Sequence, residues 1–316
     1  MSKKPITPYL SVVLPIFNEE KSLPELMREL YSVCDSLKRD YEIIFVDDCS
    51  RDRTPEILNQ YANKDPRIKI IRFSRNFRHQ AAISAGLDAS RGEFVVTMDS
   101  DLQHPPLVIP EFIKQAESGY DIVIGERVAN KQNPFVREMV GRFIYKFLSV
   151  ATGLEFKNAG DFVLYKRPVV NVIKGLPERE KFFRGLAQWV GFKKKYVSYA
   201  VRSRKFGQGN STKGLARFIL NGVTSFSAFP LRISFWIGLF IFLISVGYGV
   251  SVVIEKILYP ENLIEGLSSL TIVVLALGSV QLMVIGVMGE YLYKMFNEIK
   301  GRPVYIIAET KNFERN

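Results

Sequence analysis

Two long stretches without a single charge set the first limit on how this chain can fold. Ile233 to Ile254 is an uncharged, mostly apolar run of 22 residues, and Leu267 to Gly289 is another of 23. A bilayer core about 30 Å thick needs roughly 20 helical residues. Both runs therefore predict transmembrane helices, because a soluble helix buried on every side rarely runs that long. The 12 residues between them, Glu255 to Gly266, hold one lysine and three glutamates, whereas Arg232 precedes the first run and Lys294, Lys300 and Arg302 follow the second. Cationic residues favour the cytoplasmic flank, which puts both termini in the cytoplasm. Met1 to Pro8 is short and polar, so no signal peptide is expected. The expectation is a multi-pass protein of the inner (plasma) membrane with its bulk on the cytoplasmic side.

The first two-thirds of the chain read differently. Short apolar runs at Tyr9–Ile16, Tyr41–Val46, Ile68–Phe73, Phe94–Met98 and Asp121–Gly125 alternate with helical patterns at Leu23–Leu37, Thr54–Asn63, His79–Ala89 and Leu107–Glu117. That alternation predicts an α/β domain, Rossmann-like, with a mainly parallel sheet between helices. Such sheets bind ligands beyond the carboxyl ends of their strands, and the acidic pairs Asp47-Asp48 and Asp99-Ser100-Asp101 lie at those ends. Two amphipathic segments follow. Val136, Met139, Val140, Phe143, Ile144, Phe147 and Leu148 share one helical face, and Leu215, Phe218, Ile219, Gly222, Val223 and Phe226 share another. The second leads directly into the first apolar run, where a core helix and an interfacial one fit equally well. The expected organisation is a domain over residues 1–229 that includes these juxtamembrane helices, two spans within 230–294, and a cytoplasmic tail over 295–316.

The net charge of +11 suits anionic partners. Nine basic residues and no acidic one fall between Lys193 and Arg232, a stretch loosened by Gly207, Gly209 and Gly214. A mobile basic loop beside a membrane span is suited to a lipid phosphate, or to anionic headgroups at about 1 kcal/mol per charge. The two cysteines, Cys34 and Cys49, have no metal-ligand spacing and read as packing residues in a reducing compartment.

Asp99 and Asp101 form the sharpest chemical signal. Alternating carboxylates at a strand end can share Mg²⁺ or Mn²⁺ with substrate phosphates, and such an ion offsets charge on a departing diphosphate. At Asp47-Asp48 a carboxylate can accept hydrogen bonds from a base or ribose, although one of the two also fits a turn or helix cap. Phe17 suits a base pocket or the core. His79 and His104, the only histidines, border these motifs; phosphate contact is open to each, and a cap or packing role is the first reading.

Taken together, the motifs resemble family-2 glycosyltransferases with the GT-A fold. They are Pro15-Ile16-Phe17-Asn18-Glu19-Glu20, Val46-Asp47-Asp48-Cys49-Ser50, Arg75 to Ala82, and Asp99-Ser100-Asp101-Leu102-Gln103-His104-Pro105-Pro106. Within that family the chain is similar to dolichyl-phosphate mannose synthases and bacterial polyprenyl-phosphate glucosyltransferases. The likeness continues through Asn158 to Phe162, Phe183 to Leu186, Arg204 to Gly207 with Ser211, Gly289 to Leu292 and Lys300 to Pro303. The resemblance implies that Pro15, Phe17, Glu19, Asp47, Asp48 and Asp99 hold the nucleotide sugar. It implies that Asp99, Asp101 and Gln103 hold the metal, and that Asp161 is the acid beside the acceptor. Arg127 and the loop around Arg204 and Ser211 would clamp phosphates. That loop is longer here than the usual Arg-x-x-Gly-x-Ser, so Arg202, Arg204, Lys205 and Lys213 all stay in contention for the contact.

The resulting expectation is a metal-dependent, inverting transfer of one sugar to a polyisoprenyl phosphate, with Mg²⁺ or Mn²⁺ as cofactor. The tail motif favours UDP-glucose through its resemblance to the bacterial glucosyltransferases; GDP-mannose is the alternative. The expected partners are a nucleotide sugar, the lipid phosphate and the membrane, with no nucleic acid, and a homo-oligomer is compatible with the same reading. A processive polysaccharide synthase would carry Gln-x-x-Arg-Trp, which is absent, and an oxidoreductase would show G-x-G-x-x-G after the first strand, also absent. A non-catalytic basic module tethered to the membrane would have no use for acids at strand ends.

Overall fold

The computed structural model describes residues 7–128, 149, 152–153, 159–179, 181–202, 227, 229–258 and 267–313. The amphipathic stretches 136–148 and 215–226 and the loop residues Arg204, Lys205, Ser211 and Lys213 lie outside the described residues. The chain divides into two compact units. One comprises Met1–Ala216 with Pro303–Asn316, and the other Arg217–Arg302.

The first unit is built on one sheet of eight strands in the order β7-β5-β6-β4-β1-β2-β3-β8. The strands are β1 (Leu10–Ile16), β2 (Tyr41–Asp47), β3 (Ile68–Phe73), β4 (Phe94–Thr97), β5 (Ile122–Val128), β6 (Ala159–Lys166), β7 (Lys194–Ala200) and β8 (Ile307–Lys311). β1 pairs in parallel with β2 and β4, as do β2 with β3 and β5 with β7. Every residue of β1 and β2 is buried, as expected of central parallel strands covered on both faces. The first five expected strands are all present, within a few residues of their anticipated ends.

Helices α1 (Leu23–Ser36), α2 (Thr54–Lys64), α3 (His79–Ala89) and α4 (Ile109–Glu117) cover the sheet. α1 buries Leu23, Leu26, Met27, Leu30 and Val33 at helical spacing, the stripe that drives it onto the core. α3 is rich in small residues because it lies close against the sheet. A Cβ on Gly86 would come within 2.1 Å of Val13 Cγ1.

The sheet is more mixed than the sequence pattern suggests. β6 runs antiparallel to both β4 and β5. β8, in the stretch anticipated as a tail, runs antiparallel to β3 at the sheet edge. Its approach is fixed by Tyr305, whose ring stacks on Phe73 at 5.2 Å and whose hydroxyl donates to Asp88 at 2.9 Å. Beyond it, Asn312 donates to the carbonyls of Ala62 (2.7 Å) and Ile68 (2.8 Å). The last strand is therefore stapled to α2 and β3.

The second unit contains α7 (Phe229–Leu258) and α8 (Leu267–Ile299), of 30 and 33 residues; α5 (Arg167–Gly175) and α6 (Phe183–Trp189) belong to the first unit. Trp236, Phe240, Leu243, Ile244, Leu282, Met283 and Ile285 are each more than half exposed on these two helices. Among the described residues, no helix is long and apolar enough to cross a membrane.

Candidate active site

The chain runs outward through β1, β2 and β3, then returns to lay β4 on the other side of β1. A crevice forms outside the carboxyl ends where the winding reverses. The loops there are unusually constrained. Asn18 after β1, Cys49 after β2, Arg78 after β3 and Leu102 after β4 all have positive φ, between 54° and 74°. Non-glycine residues seldom occupy this region, and such outliers gather at functional sites.

Asp47 and Asp48 build the β2 side of the crevice. Asp47 accepts from the Ser50 amide at 2.9 Å and lies 3.3 Å from Arg72 Nε. Asp48 accepts from the amides of Phe77 (2.6 Å) and Arg78 (2.9 Å) and so pins the loop that carries Arg78 in its left-handed conformation. Burial pushes both carboxyls above the usual range. Pro15 is buried, Phe17 is exposed at the rim, and Glu19 accepts from Ser22 at the start of α1.

A polar cluster fills the β4–β6 side. Arg184, from α6, grips Asp161 of β6 with Nε at 3.0 Å and a terminal nitrogen at 2.9 Å. His79, the first residue of α3, lies 3.2 Å from Asp161 and 3.4 Å from Asp99. Asp99 in turn meets His104 Nε2 at 2.9 Å, while His104 Nδ1 lies 2.6 Å from the Tyr199 hydroxyl. Arg127 is 4.0 Å from Asp99. Burial alone would raise Asp99 and Asp161. For Asp161 the charges of Arg184 and His79 more than offset it; for Asp99 the His104 hydrogen bond and the His79 charge do. Both carboxyls are held well below the ordinary range. Burial pulls the His79 imidazole down, but Asp161 and Asp99 outweigh it and raise its pKa. Burial pushes the Tyr199 hydroxyl up to about 12.

The cluster gathers Asp99, Asp161 and Arg127 from among the anticipated residues. Asp101 turns back on the Gln103 amide at 3.1 Å. Arg202 is paired with Glu29 at 2.6 Å, and its amide donates to the Gln103 carbonyl at 3.3 Å.

Residues 11–173 match the model of Glycosyl transferase family 2. Two bacterial and phage relatives align along nearly their whole length. The uncharacterized glycosyltransferase YkcC of Bacillus subtilis is 37% identical over 307 residues, 96% of this chain and 94% of the relative. The bactoprenol glucosyl transferase of Shigella phage SfV is 38% identical over 305 residues, 96% and 99% of the two chains. This chain belongs to glycosyl transferase family 2. Among solved structures, glucosyl-3-phosphoglycerate synthase from Mycobacterium tuberculosis with Mn²⁺, UDP-glucose and phosphoglyceric acid covers 69% of this chain and 78% of its own, at 21% identity and a TM-score of 0.47.

The glycosyltransferase has the α/β, mostly parallel GT-A-like architecture anticipated for it. Four of its cluster residues escaped the sequence reading. His79 and His104 looked like cap and packing residues but contact the acids. Arg184 was visible only as part of a motif, and Tyr199 as part of a basic stretch. The available signal was position: Arg184 lies in a motif shared with the family, and each histidine adjoins an acidic loop.

Proposed function

We propose that this glycosyltransferase transfers a single sugar, glucose from UDP-glucose, to the phosphate of a polyisoprenyl (undecaprenyl-type) lipid at the cytoplasmic face of the plasma membrane. The transfer inverts the anomeric carbon and uses Mg²⁺ or Mn²⁺. The observation that carries this reading is the meeting of Asp99 and Asp161 with Arg127, Arg184 and His79 where the carboxyl end of β4 lies beside the amino end of the antiparallel β6. Acids and cations alternate there, as a site for two phosphate-bearing substrates requires. The acceptor is supported by the bactoprenol named in relatives of 38% identity.

The donor set fits a divalent cation. Asp99 belongs to two possible donor sets, the turn it shares with Asp101 and Gln103 and a trio with His79 and Asp161 whose ligand atoms lie within 4.8 Å of one another. The grip of Arg184 on Asp161 favours the first, and carboxylate oxygens suit Mg²⁺ and Mn²⁺. Asp99, with Asp101 and Gln103 of the same turn, would hold the ion, which when bound offsets charge on the leaving diphosphate. Arg127 adds positive charge beside Asp99. Asp48, by fixing Phe77 and Arg78, shapes the nucleotide side, and the exposed ring of Phe17 is open to a base.

On the acceptor side, a phosphate monoester has its second pKa near about 6 and is mostly dianionic at neutral pH. It needs no general base. Asp161, ionised and gripped by Arg184, instead holds that guanidinium and His79 in place, and Arg184 supplies charge for the lipid phosphate. One in-line attack by the phosphate oxygen on the anomeric carbon breaks its bond to the diphosphate and inverts the centre.

The membrane role rests on the two uncharged runs inside α7 and α8 and on their exposed apolar side chains, an area that water would penalise. The chain leaves the first unit at Ala216 and re-enters it at Pro303 to form β8. Two spans, and so both termini on one side, suit a chain that adds β8 to the first unit's sheet after both helices. Tethering replaces a search through bulk solvent for the lipid phosphate.

The test uses the purified full chain, undecaprenyl phosphate and a panel of UDP- and GDP-sugars. Lipid-linked glucose should form from UDP-glucose and stop in excess chelator. Undiminished turnover in chelator would overturn the metal reading; transfer from GDP-mannose alone would replace glucose by mannose; release of the protein from membranes by alkaline carbonate would overturn the spanning role.

A further inference from the structure

The deepest part of the cluster is a chain of contacts with no assigned task. His104 is fully buried, yet both its ring nitrogens are engaged, Nε2 with Asp99 at 2.9 Å and Nδ1 with the Tyr199 hydroxyl at 2.6 Å. A carboxylate only accepts hydrogen bonds, so Nε2 carries the proton toward Asp99. In the neutral ring Nδ1 then accepts from Tyr199. That tautomer satisfies Asp99 and Tyr199 together, leaving the Arg127 terminal nitrogen 3.3 Å from Nε2 as a charge contact and not a hydrogen bond, and the ends of the chain are fixed by different parts of the fold. The histidine ring is packed by Phe162 and Tyr199, with centroids at 5.3 and 5.7 Å.

Two backbone features show that room has been made for it. A Cβ at Gly160 on β6 would fall 3.0 Å from His104 Cε1 and 2.9 Å from an Arg127 terminal nitrogen. A Cβ at Gly125 on β5 would fall 2.8 Å from Tyr199 Cε1. Arg127 and Tyr199 are direct partners across the parallel β5–β7 pair, so neighbouring strands deliver them to the same place. The loop itself is held at Leu102, with φ of 63°, and by the bond from the Arg202 amide to the Gln103 carbonyl at 3.3 Å.

We propose that Tyr199 and His104 are positioning residues that set the Asp99 carboxylate for the donor-side cation. The proposal rests on the reading of Asp99 as a cation ligand given above. Tyr199 touches no reacting atom. It fixes the histidine's tautomer and rotation, and the histidine fixes which carboxylate oxygen is left to face the ion. Hydrogen-bond partners of this kind raise metal affinity by orienting a ligand that would otherwise swing.

The experiment measures Mn²⁺ affinity by electron paramagnetic resonance on the full-length protein in detergent, with saturating UDP and no turnover. Steady-state kinetics and thermal unfolding are run in parallel. Tyr199→Phe keeps the ring against Gly125 and Phe162 and removes only the hydroxyl. It should weaken Mn²⁺ about tenfold, raise the Mn²⁺ concentration needed for half-maximal rate in proportion, and lower the unfolding midpoint only by the small amount that one lost buried hydrogen bond costs, leaving the protein folded at the assay temperature. His104→Leu should cost more, up to about a hundredfold, and His104→Gln, which restores a donor near Nε2, should recover part of that loss. Wild-type Mn²⁺ affinity in Tyr199→Phe overturns the relay, as does a loss of affinity that vanishes once the fraction of unfolded protein at the assay temperature is corrected for. Asp99→Asn separates the two levels. Unaltered Mn²⁺ binding there overturns both the cation reading and the relay, whereas a large loss there beside wild-type affinity in Tyr199→Phe overturns the relay alone.

Discussion

Asp161→Asn separates two accounts of the acceptor side. The substitution keeps the shape of the side chain and removes its charge. Arg184 sits 2.9–3.0 Å from the two carboxylate oxygens, and charges about 4 Å apart attract by about 4 kcal/mol at an effective dielectric near 20. Part of that returns because a buried charge is no longer desolvated, and the amide oxygen still accepts one N–H. Breaking a buried pair costs about 3–5 kcal/mol; Arg184 is partly exposed, so the lower end applies. If about 3 kcal/mol of Arg184's placement is expressed in the transition state, the rate falls on the order of 100-fold, at 1.36 kcal/mol per tenfold. Losing a general base would cost about 10²–10⁴-fold, so magnitude alone decides little. The pH profile does decide. In the native protein Asp161 stays ionised throughout the assay range, because Arg184 and His79 overcome the effect of burial. An orienting role therefore predicts a constant ratio of native to mutant kcat/KM from pH 6 to 9, read by radiolabelled transfer to polyprenyl phosphate. A ratio that closes tenfold per pH unit, as hydroxide takes over from a missing base, would refute the orienting role.

The same depressed pKa fixes a stability effect. A carboxyl whose folded pKa lies below its unfolded one stabilises fully above the unfolded value near about 4 and loses that contribution as pH falls. The difference in melting temperature between native protein and Asp161→Asn should shrink below about pH 4, and should also fall as pH rises through the raised folded pKa of His79, whose charge Asp161 supports. Asn312→Ala removes the donors to Ala62 and Ile68 and should cost about 2 kcal/mol, measured by thermal unfolding, with Mn²⁺ affinity untouched. Gly86→Ala drives a methyl against Val13. Overpacking of about 1–3 kcal/mol should outweigh a helix-propensity gain of about 1 kcal/mol, so the variant should melt earlier despite the better helix former.

The parts of the fold that were legible are those with local causes. β1 and β2 are buried on both faces and read as nearly continuous apolar runs, broken before the terminal Asp47 only by Ser11 and Glu42, which bond each other; α1 and α4 show their stripe within one segment. β6 was hidden because Asp161 and Lys166 interrupt its apolar pattern, and β8 because Ile-Ala-Glu-Thr-Lys is exposed along most of an edge and shows no period. β7 begins with lysines and looked like loop. Within the polar cluster, Asp99 and Asp161 lie in motifs visible in the sequence, and Arg127 was anticipated from the family resemblance. The roles of His79 and His104 were not, because their partners Asp161 and Tyr199 lie 82 and 95 residues away. Such pairing is decided by topology, which no window of sequence contains. The same holds for Gly125 and Gly160: each is a glycine because of a side chain delivered by another strand.

The position of β8 also orders events during synthesis. The outer edge of β3 has no strand partner until residues 307–311 leave the ribosome, and by then the whole of α7 and α8 has already been made. Until that point the domain carries an open edge that other chains could join. Completion of the sheet therefore waits until both long helices have been synthesised, and a chain that stops short of residue 307 is left with an unfinished domain.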